Sequence, residues 1–220
     1  MSMRGLLFAF ALAVSGVVAA QGYPAKPIRI VVPNPAGGID VYLRVFQPKA
    51  TEFLGQPLVI ENRPGGASGS IGADNIAKSA PDGYSLLFST SAQIVTSPFL
   101  NRNLPYDPLR DFTPITKTLE PVEALVVHEA VPFRSVRELI DYAKKNPGKV
   151  TYGSSGVGSV PHLDGELFQA AAGIQMLHVP YKGVAQIMPE LAAGRIDIAF
   201  PGLGSAGNVL GAGRARVLAV

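Results

Sequence analysis

Three short turns in this chain carry the groups that could hold a ligand. They read Pro33-Asn34-Pro35-Ala36-Gly37-Gly38-Ile39-Asp40, Ser89-Thr90-Ser91-Ala92-Gln93 and Ser154-Ser155-Gly156-Val157-Gly158-Ser159. Each follows a β-rich run and precedes a helical pattern. Turns of this kind gather at the carboxyl ends of parallel strands, where ligands sit in open α/β sheets. Glycine lets the backbone approach a ligand closely. Free amides at a helix start, aided by the helix dipole, favour an anion. Ser and Thr add hydroxyl donors. Such a set can bind a carboxylate without any arginine. One such turn alone is ordinary capping and turn chemistry. Three in one alternating chain point to a binding cleft.

Other chemistries find little support. Gly202-Leu203-Gly204-Ser205-Ala206-Gly207 matches G-x-G-x-x-G, but the chain ends thirteen residues later. That is too soon for the acidic ribose partner expected ~20 residues on, so a chance turn is the better reading. There is no Walker A loop and no G-x-S-x-G elbow. His128, His162 and His178 stand apart without metal-ligand spacing. His162, after Pro161, reads as a structural or capping histidine, and Asp197 as a strand-edge residue. A hydrolase would need a base beside Ser155 or Ser91, for which His162 is the only nearby candidate in sequence. Cysteine is absent, which removes disulfides, thiolate metal sites and a cysteine nucleophile. No cofactor or metal is expected.

The elements that must position these turns alternate in type. Ile28 to Val32 is a β-rich run between prolines, and Asp40 to Leu54 has apolar residues on one helical face. Pro48 falls inside that helix and should kink it. A strand follows at Leu58 to Ile60, then a Gly/Ser loop, a helix near Ile71 to Ala80, and a strand at Tyr84 to Ser89. Later strands fall at 125–127, 149–153, 176–179, 196–200 and 216–220, with helices between. Ser135 and Glu138 form an S-x-x-E capping box before the first of these helices. Alternation of this kind predicts α/β units with parallel strands. Prolines at 105, 108, 114, 121 and 132 interrupt residues 100–132, which read as a crossing between two lobes. The expected organisation is a signal peptide at 1–20, a first lobe at 21–120 and a second lobe at 121–220.

Residues 1–20 have a positive start at Arg4, an apolar run from Leu6 to Val14, and Val18 and Ala20 before Gln21. That is the layout of a secretory leader cleaved after Ala20. Nothing later is long and apolar enough to span a bilayer, so the mature chain is expected to be soluble and periplasmic. Apolar residues make up 47% despite abundant Gly and Pro, which argues for buried elements joined by tight turns. The net charge of +3, or +2 without Arg4, and the scattered basic residues argue against nucleic acid.

The segments YPAKPIRIVVPNPAGGIDV, LGQPLVIENRPGGASGSIGAD, APDGYSLLFST, LPYDPLRDF, VTYGSSGVGSVPHLDGELF and HVPYKG resemble the extracytoplasmic receptors of tripartite tricarboxylate transporters, the Bug receptor family. The resemblance runs from Tyr23 to Val220, and the order and spacing of the segments make it specific. It implies an α/β, two-lobed periplasmic binding protein of the Venus-flytrap kind (type II-like), a monomer without enzymatic activity. A small organic acid would lie between the lobes and be passed to a two-component membrane permease. One carboxylate would be held at Ala36, Gly37, Gly38 and Asp40. The opposite lobe would contribute Ser154, Ser155, Gly156 and Ser159, with Ser89, Thr90, Ser91 and Tyr181 as further candidates. A periplasmic sensor or adaptor would use the same parts.

Three departures from the family pattern carry expectations. The first loop, Gly37-Gly38-Ile39-Asp40, lacks a hydroxyl pair common in the family. Where relatives often place an acid after the strand ending at Phe200, this chain has Pro201-Gly202, so a cationic ligand group would lose a partner. Relatives also continue well beyond the segment matching Arg214 to Val220, so the first lobe is expected to be incomplete and the chain a fragment.

Overall fold

The computed structural model describes residues 22–220, and the leader reading of residues 1–20 lies outside them. Two sheets organise the described residues. The first contains β1 (Ile28–Val32), β2 (Leu58–Asn62) and β3 (Ser85–Leu87), in the order β2-β1-β3 and all parallel. β1 is central, and its run IRIVV, apolar except for Arg29, fits a strand covered on both faces. Ile28, Ile30 and Val32 pack with Leu43 of α1 (Asp40–Leu54) and with Leu58. α2 (Ser70–Ala77) lies against β1 and β3. α1 runs unbroken through Pro48 and stops at Gly55 in the left-handed conformation.

The second sheet has five strands, β4 (Leu125–His128), β5 (Thr151–Ser154), β6 (Leu177–Pro180), β7 (Ile198–Ala199) and β8 (Ala215–Ala219). Their order is β6-β5-β7-β4-β8. β5 pairs in parallel with β6 and β7, but β4 runs antiparallel to both β7 and β8. The all-parallel expectation therefore fails at β4. That strand is fed by the crossing segment and not by a β-α-β unit, so the crossover rule does not set its direction. Two cores flank the sheet. Leu125, Val127, Tyr152 and Ile198 pack with α4 (Val136–Lys145) and α5 (Val160–Ala172). Val126, Ile196 and Ala199 pack on the other face with Ile187 and Leu191 of α6 (Val184–Ala192).

The Ser135 cap forms as expected, with its hydroxyl accepting from the Glu138 amide at 3.2 Å. Glu138 reaches back to the Arg134 amide at 2.7 Å, one residue before the cap. Between α3 (Ser97–Leu100) and β4 there is no helix or strand. Tyr106 anchors this stretch to the first half, donating to the Gln93 carbonyl at 2.8 Å. Nearby, Phe99, Leu109 and Ile115 are 86%, 91% and 75% exposed, so this stretch leaves large apolar side chains open to solvent. No described helix is long and apolar enough to cross a membrane.

Candidate functional site

The β1–α1 turn is built around Asp40. Its carboxylate is 2% exposed, accepts from the Gly38 amide at 3.0 Å and pairs with Arg44 Nε at 3.1 Å. An acid in the first turn also suits the helix dipole. Asp40 thus shapes the loop from behind, while Gly38 faces the space in front.

The β3 turn folds on Gln93, which is 1% exposed. Its Oε1 accepts from the Thr90 amide at 3.0 Å and the Thr90 hydroxyl at 3.1 Å, while its Nε2 donates to the Ser68 carbonyl. This ties Ser89-Thr90-Ser91 to the Gly/Ser loop before α2. One turn of π helix, Ala92–Thr96, then leads into α3. Sequence reasoning placed Gln93 in the turn but gave it no role. The T-x-x-Q spacing of Thr90 and Gln93 was the available signal.

The β5–α5 turn rests on a stack of rings. Tyr152 lies over His178 with centroids 4.9 Å apart, and His178 faces His162 at 4.4 Å. Ser154 Oγ is 2.6 Å from His178 Nε2 and accepts from the Gly156 amide at 3.1 Å. His162 Nδ1 accepts from the Gly158 amide at 3.2 Å. The histidines that look isolated in sequence are therefore partners through β6 and α5, and both brace the loop. Burial, then the positive charge that His162 can carry, holds His178 below the usual histidine range. Among the described residues no group of His, Asp or Glu has the geometry of a metal site. The Ser154–His178 contact does not make a hydrolytic pair, because Ser154 is fully buried. Asp197, read as a strand-edge residue, accepts from both the amide and the hydroxyl of Thr151, at 2.7 and 2.9 Å, and so pins β5.

These turns meet at one cavity of about 2320 Å³ between the two halves. Of the sequence candidates, Gly38, Ser89, Thr90, Ser91, Ser155, Gly156, Ser159 and Tyr181 line it. Ala36, Gly37, Asp40 and Ser154 do not. Gly37 turns toward Ala185 of α6, and Ser154 lies inside the wall. Small-ligand sites are typically ~300–1,000 Å³. The excess volume runs along Leu86–Phe88 and residues 108–120.

The halves touch at the cavity rim. Ser68 Oγ donates to the Val157 carbonyl at 3.0 Å. Gly183 faces Pro35, and Gly158 faces Leu100. Sequence reasoning also missed Tyr42 and Glu123, which line the cavity where the chain crosses between halves. Glu123 bridges Gly202 in antiparallel pairing, which sets this residue of the crossing segment beside the Pro201-Gly202 turn. No spacing rule links residues so far apart.

Comparison with known proteins matches this arrangement. The family model described as the tripartite tricarboxylate transporter family receptor covers residues 42–220. The UPF0065 protein in the tcbD-tcbE intergenic region of Pseudomonas sp. (strain P51) is 36% identical over 201 residues, 91% of this chain and 59% of that protein. The chain thus spans about three fifths of that relative's length. The R. palustris protein Rpa4515, solved with adipate, superposes with a TM-score of 0.85 at 36% identity, over 89% of this chain and 66% of that one. MatC from Rhodopseudomonas palustris, solved with bound malate, gives 0.81 at 26% identity, over 89% and 67%. With a periplasmic-binding-protein fold and the family pattern matched across most of its length, the chain belongs to the tripartite tricarboxylate transporter receptor family.

Proposed function

We propose that this chain is the part of a periplasmic receptor that captures a small organic acid between its two halves, which act as lobes at residues 21–120 and 121–220. The acid is then presented to a membrane permease. The observation that carries this reading is the single cavity lined by Gly38 and Ser89–Ser91 from one half and by Ser155, Gly156 and Ser159 from the other. These groups offer amides and hydroxyls without a fixed cation, which suits a carboxylate held by oriented dipoles. Structural neighbours with adipate and malate support the ligand class. No covalent step is part of this function. Closure follows because the acid contacts both halves only when they are together.

Thermal unfolding with a panel of di- and tricarboxylates tests the reading. An acid at a hundred times its Kd stabilises the native state by ~2.7 kcal/mol. For a chain of this size that raises the midpoint by roughly 5–11 °C, at about 2–4 °C per kcal/mol. No shift with any acid at millimolar concentration contradicts the proposal.

A further inference from the structure

The peptide unit between Val157 and Gly158 is held at both ends. Its carbonyl accepts from Ser68 Oγ of the first half at 3.0 Å. Its N–H donates to His162 Nδ1 of α5 at 3.2 Å. A peptide unit is planar, so its carbonyl and its N–H turn together. Whatever rotates the Gly158 amide therefore moves the carbonyl that joins the halves. The backbone on either side permits such a rotation, because Gly156 and Gly158 both stand at positive φ, 113° and 81°. Gly156, Val157 and Ser159 line the cavity around this unit.

The His162 bond exists in only one protonation state. An imidazole nitrogen accepts only while it carries no proton. The neutral ring must then hold its proton on Nε2, which faces Glu166 Oε1 at 3.9 Å. A second proton, on Nδ1, would set two donors head to head at Gly158. A parallel chain of bonds runs beside the first. The Gly156 amide donates to Ser154 Oγ at 3.1 Å, and that oxygen lies 2.6 Å from His178 Nε2 of β6. The Ser154 hydroxyl can accept from the amide and donate to His178 while that ring is unprotonated at Nε2. The two rings face each other at 4.4 Å, so a charge on one opposes a charge on the other. The titratable groups around His162 are His178 from β6, Tyr152 from β5 stacked on His178, and Glu166 one turn on along α5. Burial, then the charge that His162 can carry, holds His178 below the usual histidine range, which favours the form that accepts from Ser154. From the first half Leu100 and Ser68 approach Gly158, and neither titrates.

We propose that His162 is a positioning residue for acid capture, keeping the β5–α5 turn in its ligand-holding shape and joined to the first half only while its Nδ1 is unprotonated. This rests on the receptor reading above. Protonation turns the Gly158 amide away, carries the Val157 carbonyl off Ser68 and loosens the contact between the halves. The competent form is the neutral one, so affinity is complete at high pH and is lost as pH falls through the range in which histidines gain charge. Apparent affinity follows the competent fraction.

Two measurements test the proposal, and the first needs no ligand. The Gly158 amide resonance, followed by NMR from pH 8 to pH 5.5, is expected to move with the His162 ring protons and with the same midpoint. In His162→Asn, whose Oδ1 can accept from the amide and does not titrate, it should stay in place. The second measurement is calorimetric titration with malate and adipate at both pH values. The unaltered chain is expected to lose about fivefold or more in affinity at pH 5.5 relative to His162→Asn, with each acid's own ionisation cancelling between the two proteins. A merely structural histidine would leave the two proteins with the same pH dependence. Should His162→Asn fold poorly, the Gly158 titration of the unaltered chain decides alone. A Gly158 amide that does not follow the ring, or a pH dependence that survives His162→Asn undiminished, overturns the role of His162 and leaves the receptor reading standing. Binding of neither acid at pH 8 overturns the receptor reading, and the ligand-free titration still decides whether His162 controls the turn.

Discussion

Gly183→Val weakens acid binding by ~5- to 150-fold and leaves the folding of each half nearly unchanged. A Cβ at position 183 would lie 3.2 Å from Cγ and 3.3 Å from Cδ of Pro35, across the gap between the halves. Pro35 is a rigid ring and cannot swing aside. The backbone at 183 is extended, with φ 174°, so a side chain there brings no torsional strain of its own. What the substitution costs falls on contact between the halves. Crowding of this kind costs ~1–3 kcal/mol. If the ligand-bound state needs that contact, the cost appears in affinity at about 1.4 kcal/mol per tenfold. Titration gives the affinity, and solution scattering shows whether the halves sit further apart. An affinity within twofold of the unaltered chain would mean that the Pro35–Gly183 contact is not part of the bound state.

Tyr152→Ala should be the most destabilising single change in the second half. Tyr152 is fully buried between α4, α5 and the sheet, stacks on His178 and meets Phe200 edge to face at 6.4 Å. Its ring needs Gly165, where a Cβ would come within 2.3 Å of Cε2. Its hydroxyl donates to Glu166. Removing a buried aromatic ring costs ~3–5 kcal/mol. That is a large share of the ~5–15 kcal/mol that holds a typical domain together. The midpoint should fall by roughly 6–20 °C, at about 2–4 °C per kcal/mol. Tyr152→Phe keeps the ring and loses only the bond to Glu166, so it should cost ~0.5–1.5 kcal/mol. Equal losses in the two variants would show that the hydroxyl, not the stack, holds this core. Because His178 bonds Ser154, the alanine variant should also loosen the β5–α5 turn and weaken ligand binding with it.

Local patterns made much of this legible in the sequence. The apolar run of β1, the stop at Gly55, the Ser135 cap and the Gly/Ser turns each declare themselves within a few residues. The antiparallel entry of β4 does not, because strand direction depends on where a long crossing segment delivers the chain. The site shows the same split. The turns that carry Gly38, Ser155 and Gly156 show in the strand–turn–helix pattern, while the resemblance to the family picks out those residues within them. Asp40 and Ser154 sit in the same turns but face inward, a difference of side-chain direction that spacing does not encode. His162 and His178 lie sixteen residues apart and meet only because α5 packs on the sheet beside β6. Glu123 and Tyr42 converge from opposite halves, and nothing local links them.

Amide chemical shifts followed by NMR during titration with a dicarboxylate test capture between the halves most directly. Gly38 reports on one half, and Ser155 and Gly156 on the other. The account predicts that all three move along a single saturation curve with one Kd. Shifts confined to one half, or no saturable shifts at all, would contradict it.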